Sequence, residues 1–260
     1  MDVQSLLNMT EDALDEVLPK ADERPAALSE AMRYAVGTGG KRVRPLICLA
    51  SAVAVGGSPE DARYPAAAIE LLHNYTLVHD DLPSMDNDTE RRGKPSVWAK
   101  FGEANATLAG DALQALAFWT AAKAPRNAGE IVAALGKAGV GVVQGQVEDV
   151  AENADRGTDD VDFIYTHKTA DLFIAAATMG GYAGGGSKAD VDALGKFALN
   201  LGLAFQYEDD LLDGDSPFPK EKTEELVRTT TAAAVAALGR LPGDTTFLKS
   251  LAERLVGRTV

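Results

Sequence analysis

One pattern dominates these 260 residues: apolar positions recur at helical spacing in stretches interrupted by Gly, Pro and Asp clusters. The stretches 2–17, 23–36, 42–55 and 60–81 each place apolar residues three and four apart, the period of one helix face. Gly37-Thr38-Gly39-Gly40 and Gly56-Gly57-Ser58-Pro59 separate them as stop and turn signals. Further helices are expected at 97–122, 127–151, 159–183, 189–213, 220–239 and 244–256, with breaks at 184–187, 213–217 and 241–244. Hairpin signals flanked by alternating strands are absent. Ala, Leu and Glu are abundant and β-branched runs are few, which also favours helix. With no low-complexity tail, repeat or Pro/Ser-rich linker, the expected fold is all-α, a single domain over 1–260.

The formal net charge of −14 excludes a general nucleic-acid binder, which needs a basic face to neutralise phosphates. It also means that any phosphorylated ligand must be held by local cations, from side chains or bound metal. Cys48 is the only cysteine and lies in the apolar run Pro45-Leu46-Ile47-Cys48-Leu49-Ala50, so a buried inert thiol is expected and no intrachain disulfide can form. The N-terminus lacks the basic segment of a signal peptide. The apolar run 46–55 is far shorter than the ~20 residues that span a bilayer. No membrane span and a cytoplasmic location are therefore expected.

Two helices carry carboxylates at their ends. On 60–81, His73, Thr76 and Asp80 share a face at i, i+3 and i+7. On 189–213, the stripe Leu194, Phe197, Leu201 and Phe205 gives way to Gln206, Asp210 and Asp213, with Asp209 and Asp213 one turn apart. Side by side, the two helix ends would make an acidic rim over an apolar interior. The first cluster is Asp80-Asp81-Leu82-Pro83-Ser84-Met85-Asp86-Asn87-Asp88. Adjacent carboxylates diverge on a helix, and Pro83 disfavours α conformation at Leu82, so a bulge or helix end should bring Asp86 back towards Asp80. The second is Asp209-Asp210-Leu211-Leu212-Asp213, where i and i+4 align unaided. Clustered carboxylates without cysteine or paired histidine suit Mg²⁺, which bridges carboxylates to substrate phosphates. Solvated helix ends are the simpler reading of either cluster alone; two such clusters after apolar helices favour the metal.

Cations accompany them. Gly39-Gly40-Lys41-Arg42-Val43-Arg44 packs three beside a probable helix start, Arg91-Arg92 follows the first acidic cluster, and Lys168 sits in Tyr165-Thr166-His167-Lys168-Thr169. Arg forks grip diphosphate oxygens and Lys acts as a point charge. The histidines, His73, His79 and His167, show no ligand pairing and no nucleophile triad, so a zinc site or hydrolytic triad is not expected. His73 can contact a second diphosphate; His167 reads equally well as a satisfied helix residue.

In Gly39–Pro45, Glu70–Asp81, Asp86–Pro95, Phe101-Gly102-Glu103-Ala104, Leu108–Ala112, Gly145-Gln146, His167–Thr169 and Phe205–Asp213, the chain resembles the trans-prenyltransferases, or polyprenyl synthetases, of the bacterial farnesyl diphosphate synthase type. The resemblance covers about residues 25–213. It implies a bundle of about ten or more helices around a deep apolar pocket, in a homodimer. It implies Asp80, Asp86 and Asp209 as principal Mg²⁺ ligands, with Asp81, Asp210 and Asp213 auxiliary or acting through water. Arg91, Lys168 and Gln206 would contact an allylic diphosphate; Gly40, Lys41, Arg44, His73 and Arg92 would hold isopentenyl diphosphate. Lys168 and Thr169 would also stabilise an allylic cation through their backbone carbonyls. Tyr75 and Thr76, a turn before Asp80, would set chain length. With the two-residue insertion in the first motif, they imply C15 farnesyl diphosphate, with C20 geranylgeranyl diphosphate next.

After Asp213 the sequence departs from that pattern. The segment 214–222 is shorter than the Gly- and Lys-rich loop of the family, and Lys220 or Lys222 would have to replace its later lysines. Rival readings are a terpene cyclase, which would carry Asn/Ser/Glu in the second motif, and a non-catalytic subunit of a heteromeric synthase, which would have eroded one motif. A plain Mg²⁺-binding scaffold is the third, against which the cations argue.

Overall fold

The computed structural model describes residues 2–151, 158–214 and 216–256. They form α1 (Val3–Val17), α2 (Ala26–Gly37), α3 (Val43–Ala54), α4 (Arg63–Asp80), α5 (Val97–Phe101) and α6 (Glu103–Ala121). Then follow α7 (Ala128–Val150), α8 (Thr158–Ile164), α9 (Asp171–Ala183), α10 (Lys188–Asp213), α11 (Lys220–Ala237) and α12 (Thr246–Val256). The all-α expectation holds, and local chemistry explains most of the ends. Asp2 accepts from the amides of Gln4 and Ser5 to start α1. Ser187 and Asp190 close a capping box at α10, and Gly214 ends that helix with φ 76°. Pro25 moves the start of α2 to 26, three residues later than the apolar pattern alone gives.

Helix α4 is the centre of the bundle. It is buried on nearly all sides from Pro65 to Val78, as a helix surrounded by others must be. It packs against α1, α2, α3, α6 and α9, and α9 packs against α3, α7 and α10. The two acidic helices do not pack side by side: α9 packs against both of them. No helix among the described residues is long and apolar enough to cross a membrane.

Three features depart from the sequence expectations. The helix expected at 97–122 is broken at Gly102, whose φ of 84° only glycine adopts readily. The stretch 159–183 is interrupted by a π-helical turn, Tyr165–Ala170. A hairpin does exist: β1 (Glu90–Arg91) pairs antiparallel with β2 (Lys94–Pro95). Arg92 and Gly93, with φ 57° and 74°, form its turn, and both being left-handed suits a tight hairpin. Two-residue strands are too short to show alternation. Asp215, within the expected break at 213–217, lies outside the described residues.

Candidate active site

Both acidic clusters sit where their helices run out, and each divides in the same way. Asp80 is the last residue of α4 and Asp81 its cap. The chain then turns back, and the Asp86 amide donates to the Asp80 carbonyl at 2.9 Å, the reversal that Pro83 suggested. Asp81 is only 2 % exposed, and both its oxygens accept from Arg91 Nε, at 2.7 and 2.9 Å. On α10, Asp210 is 7 % exposed; its Oδ1 accepts from Gln206 Nε2 at 2.9 Å and its Oδ2 from the Tyr165 hydroxyl. In each adjacent pair the second carboxylate is thus buried and held by protein donors. Asp80 and Asp209 line cavities, while Asp86 and Asp213 are exposed.

Asp80 has no protein donor among the described residues. Burial pushes its carboxyl up to about 6, with Asp86 adding to the rise and the Lys168 ammonium opposing it. A half-buried carboxylate that ionises only at a cost, with a second carboxylate beside it, is chemically suited to a hard divalent cation. No three His, Cys, Asp or Glu side chains of the described residues converge as a ready cage. Mg²⁺ fits this arrangement better than a fully protein-ligated metal would, because it keeps waters and takes phosphate oxygens as ligands.

The cations occupy the other side of α4. A cleft of about 730 Å³ is lined by Lys41, Arg44, His73, Arg92 and Asp209 among others, with Leu77, Phe173 and Phe205 as its apolar part. Arg44 is partly buried, lies 5.0 Å over the Phe173 ring, and meets His73 Nε2 at 3.3 Å. Burial lowers its guanidinium to about 10, Arg92 adding to this and Glu70 opposing. His73 is held well below its ordinary value by burial and by Arg44 and Arg92, so it is neutral at pH 7. Arg44 Nε and His73 Nδ1 are buried with no hydrogen-bond partner among the described residues. Arg92 donates to the Gly39 carbonyl from the hairpin turn, and a Cβ on Gly40 would stand 2.8 Å from Arg92 Nη1. The φ of 138° at Gly40 favours glycine, and a side chain there would have to displace the Arg92 guanidinium.

Arg42, between Lys41 and Arg44 in sequence, has a different task. It is buried, with φ 48°, and binds Glu11 at 2.7 Å, Glu70 at 2.8 Å and the Val36 carbonyl at 2.9 Å. It ties α1, α2 and α4 together beneath the loop that presents Lys41. Leaving Arg42 out of the substrate contacts agrees with this geometry.

Lys168 and Thr169 lie in the π-helical turn. Lys168 pairs with Asp149 on α7, and Thr169 donates to Gln206 Oε1 at 2.9 Å. Helix α7 comes this close because Gly141 and Gly145, one turn apart, face the turn; a Cβ on Gly145 would fall 2.9 Å from both His167 C and Lys168 Cα. His167 bonds Asp171 at 2.7 Å and packs on Phe163, a satisfied helix residue rather than a ligand contact. The sequence reading missed Asp149, Glu70 and Tyr165. Its one available hint was the Gly141–Gly145 spacing, which marks a close helix approach.

On the face of α4 away from the cationic cleft, Tyr75, Thr76 and Asp80 line an apolar cavity of about 150 Å³ completed by Met85 and by Val142, Gln146 and Val147 of α7. Helix α4 is thus the partition: His73 and Leu77 face the cations, Thr76 and Asp80 the apolar cavity. Lys220 and Lys222 are exposed and pair with Glu224 and Glu225 on their own helix, so they do not join the cleft.

The profile of the polyprenyl synthetase family matches residues 25–230. Heterodimeric geranylgeranyl pyrophosphate synthase large subunit 1, chloroplastic, of Arabidopsis thaliana is 44 % identical over 216 residues, 77 % of this chain and 57 % of that protein. Geranylgeranyl pyrophosphate synthase, chloroplastic, of Capsicum annuum is 43 % identical over 226 residues, 84 % of this chain and 59 % of that protein. The chain spans about three-fifths of the length of these curated relatives. Among solved structures, an FPP/GFPP synthase from Zymomonas mobilis superposes with a TM-score of 0.90 at 34 % identity, covering 97 % of this chain and 98 % of that one. The geranylgeranyl pyrophosphate synthetase of the archaeon Geoglobus acetivorans gives 0.90 at 27 % identity, with 98 % and 99 % covered.

Proposed function

This chain belongs to the polyprenyl synthetase family of trans-prenyltransferases, and we propose that it joins isopentenyl diphosphate to an allylic diphosphate within one catalytic domain. The observation that carries this is the partition made by α4, with the unpartnered Arg44 Nε and His73 Nδ1 among cations on one face and a donorless carboxylate lining an apolar cavity on the other. Isopentenyl diphosphate lies on Arg44, Lys41, Arg92 and His73, near Gly40. The allylic diphosphate is held by Lys168, Gln206 and Arg91, whose Nη1 is left for it while its Nε engages Asp81. Asp80, Asp86 and Asp209 would hold Mg²⁺, with Asp213 supporting. Bound Mg²⁺ would supply neutralisation of the diphosphate charge as the allylic C–O bond breaks.

The remaining chemistry belongs to the chain and its substrates. The apolar cavity excludes water from the allylic cation, and the backbone carbonyls of Lys168 and Thr169 would supply partial negative charge to it. The isopentenyl double bond attacks the allylic carbon, a new C–C bond forms, and the proton passes to the released diphosphate. No protein base is needed, which suits a neutral, buried His73.

Product length has two readings. The names of the similar curated proteins support C20 geranylgeranyl diphosphate, which we put first. Tyr75, buried beside Thr76 in a cavity of only about 150 Å³, supports C15 farnesyl diphosphate. A second copy of the chain fits the exposed apolar face of α6 and α7: Leu108, Trp119, Val140, Val143 and Val147. The valines at 140, 143, 147 and 150 keep three-four spacing and so form one exposed apolar stripe along α7. One relative is named as the large subunit of a heterodimer, so a different small subunit is the alternative occupant.

The test is incubation of purified protein with Mg²⁺, labelled isopentenyl diphosphate and dimethylallyl, geranyl or farnesyl diphosphate, with product length read by chromatography. C20 product supports the first reading and C15 the second. No product from folded protein with any partner would favour the non-catalytic subunit.

A further inference from the structure

Among the described residues, Tyr165–Ala170 is the one place where a helix widens to π geometry. Such turns are rare and concentrate at functional positions. Here α10 grips the turn at both ends. Tyr165, its first residue, donates to Asp210 Oδ2; Thr169, near its end, donates to Gln206 Oε1 at 2.9 Å, and Gln206 Nε2 donates to Asp210 Oδ1 at 2.9 Å. Asp210 is therefore the common anchor for both ends. The residue between them that reaches outward is Lys168, which meets Asp149 on α7. The Tyr165 ring also packs edge-on against Tyr207 at 5.6 Å, and Tyr207 against Phe218 at 6.3 Å.

We propose that Tyr165 is a positioning residue. Through its hydroxyl bond to Asp210 it fixes the π-helical turn, so that Lys168 and Thr169 hold their places against α7 and α10, and Asp210 serves as anchor rather than as a metal ligand. A phenol donating to an ionised carboxylate makes a bond roughly twice as strong as a neutral pair. Both oxygens of Asp210 already accept from protein donors, whereas Asp209 lines the cleft and Asp213 is exposed. Lys168 and Thr169 belong to no regular α-helical ladder that would hold their register otherwise. A shift of about 1 Å at such groups is enough for a loss near a hundredfold in rate.

This inference rests on the prenyltransferase reading for its kinetic arm but not for its structural one. Tyr165→Phe keeps the ring contacts and removes only the hydroxyl. Expected are amide hydrogen exchange at least tenfold faster across 165–170 with other helices unchanged, and a kcat at least tenfold lower. The KM for isopentenyl diphosphate and the Mg²⁺ half-saturation should stay within twofold. Tyr165→His, which restores a donor, should recover most of the rate. Exchange indistinguishable from the parent protein would overturn the proposal. So would a raised Mg²⁺ half-saturation with unchanged exchange, which would make Asp210 a ligand. If Tyr165→Phe fails to fold, Asp210→Asn loosens the same turn, and its exchange pattern decides in the same way. A parent protein that makes no product removes the proposed function, while the exchange arm still judges Tyr165.

Discussion

Replacing Gly145 by alanine examines how α7 meets the turn that carries Lys168. The added Cβ would lie 2.9 Å from His167 C and Lys168 Cα and closer still to Lys168 N. Carbon contacts relax at about 3.5–4.0 Å, so the two segments must part by roughly 1 Å. Both are backbone, and no flexible side chain can give way. Alanine gains about 1 kcal/mol in helix propensity over glycine, against about 1–3 kcal/mol for overpacking. Stability should fall by no more than about 2 kcal/mol, a Tm decrease of a few degrees for a chain this size. Rate should suffer more, because a displacement near 1 Å at the reacting groups costs on the order of a hundredfold. The control is Gly136→Ala on the same helix, where the nearest neighbour is Phe118 Cε1 at an ordinary 3.6 Å. That variant should melt slightly higher than the parent and keep full rate. Differential scanning fluorimetry and steady-state prenyl transfer measure both quantities. If Gly145→Ala behaves like Gly136→Ala, the close approach of α7 to Lys168 is not what positions it.

Other consequences are independent of that contact. Arg42→Met removes one partner of a buried pair and strands Glu70, so the protein should lose about 3–5 kcal/mol in urea unfolding. His73 is depressed when folded, so its contribution to stability is present above its unfolded pKa of about 6.5 and is lost as pH falls below that value. Tm measured from pH 7.5 to 5 should therefore drop less in His73→Asn than in the parent. Asp80 is raised to about 6, so its contribution is present at low pH and lost as pH rises through that value. Asp80→Asn should accordingly melt higher than the parent at pH 8 in the absence of metal, while losing prenyl transfer. Val143→Asp with Val147→Asp should convert a dimer to monomer in sedimentation velocity if the α7 face is the shared surface.

Most of the helices were legible because helix periods and breakers are local properties. Gly214 and the Ser187–Asp190 box ended and began α10 where the apolar stripe did. The fold-back at Asp86 was legible from Pro83 for the same reason. What escaped was set by partners distant in sequence. Nothing near Asp149 reveals that it will meet Lys168, and nothing near Arg42 separates it from Lys41 and Arg44 except where its φ and Glu70 place it. The anchoring of Asp81 and Asp210 likewise depends on Arg91 and Tyr165. The hairpin at 90–95 was missed because only its Arg92-Gly93 turn, and no alternation, marks it.

The most direct measurement is calorimetric titration of inorganic pyrophosphate into the parent protein, Asp80→Asn and Asp209→Asn, each with and without Mg²⁺. Two acidic clusters clamping one diphosphate through metal require a binding event that appears only with Mg²⁺, in addition to metal-independent binding at Lys41, Arg44 and Arg92, and that is weakened at least tenfold by either substitution. Titrations identical with and without Mg²⁺, or a Mg²⁺-dependent event that survives both substitutions unchanged, would show that the acidic clusters do not hold the diphosphate.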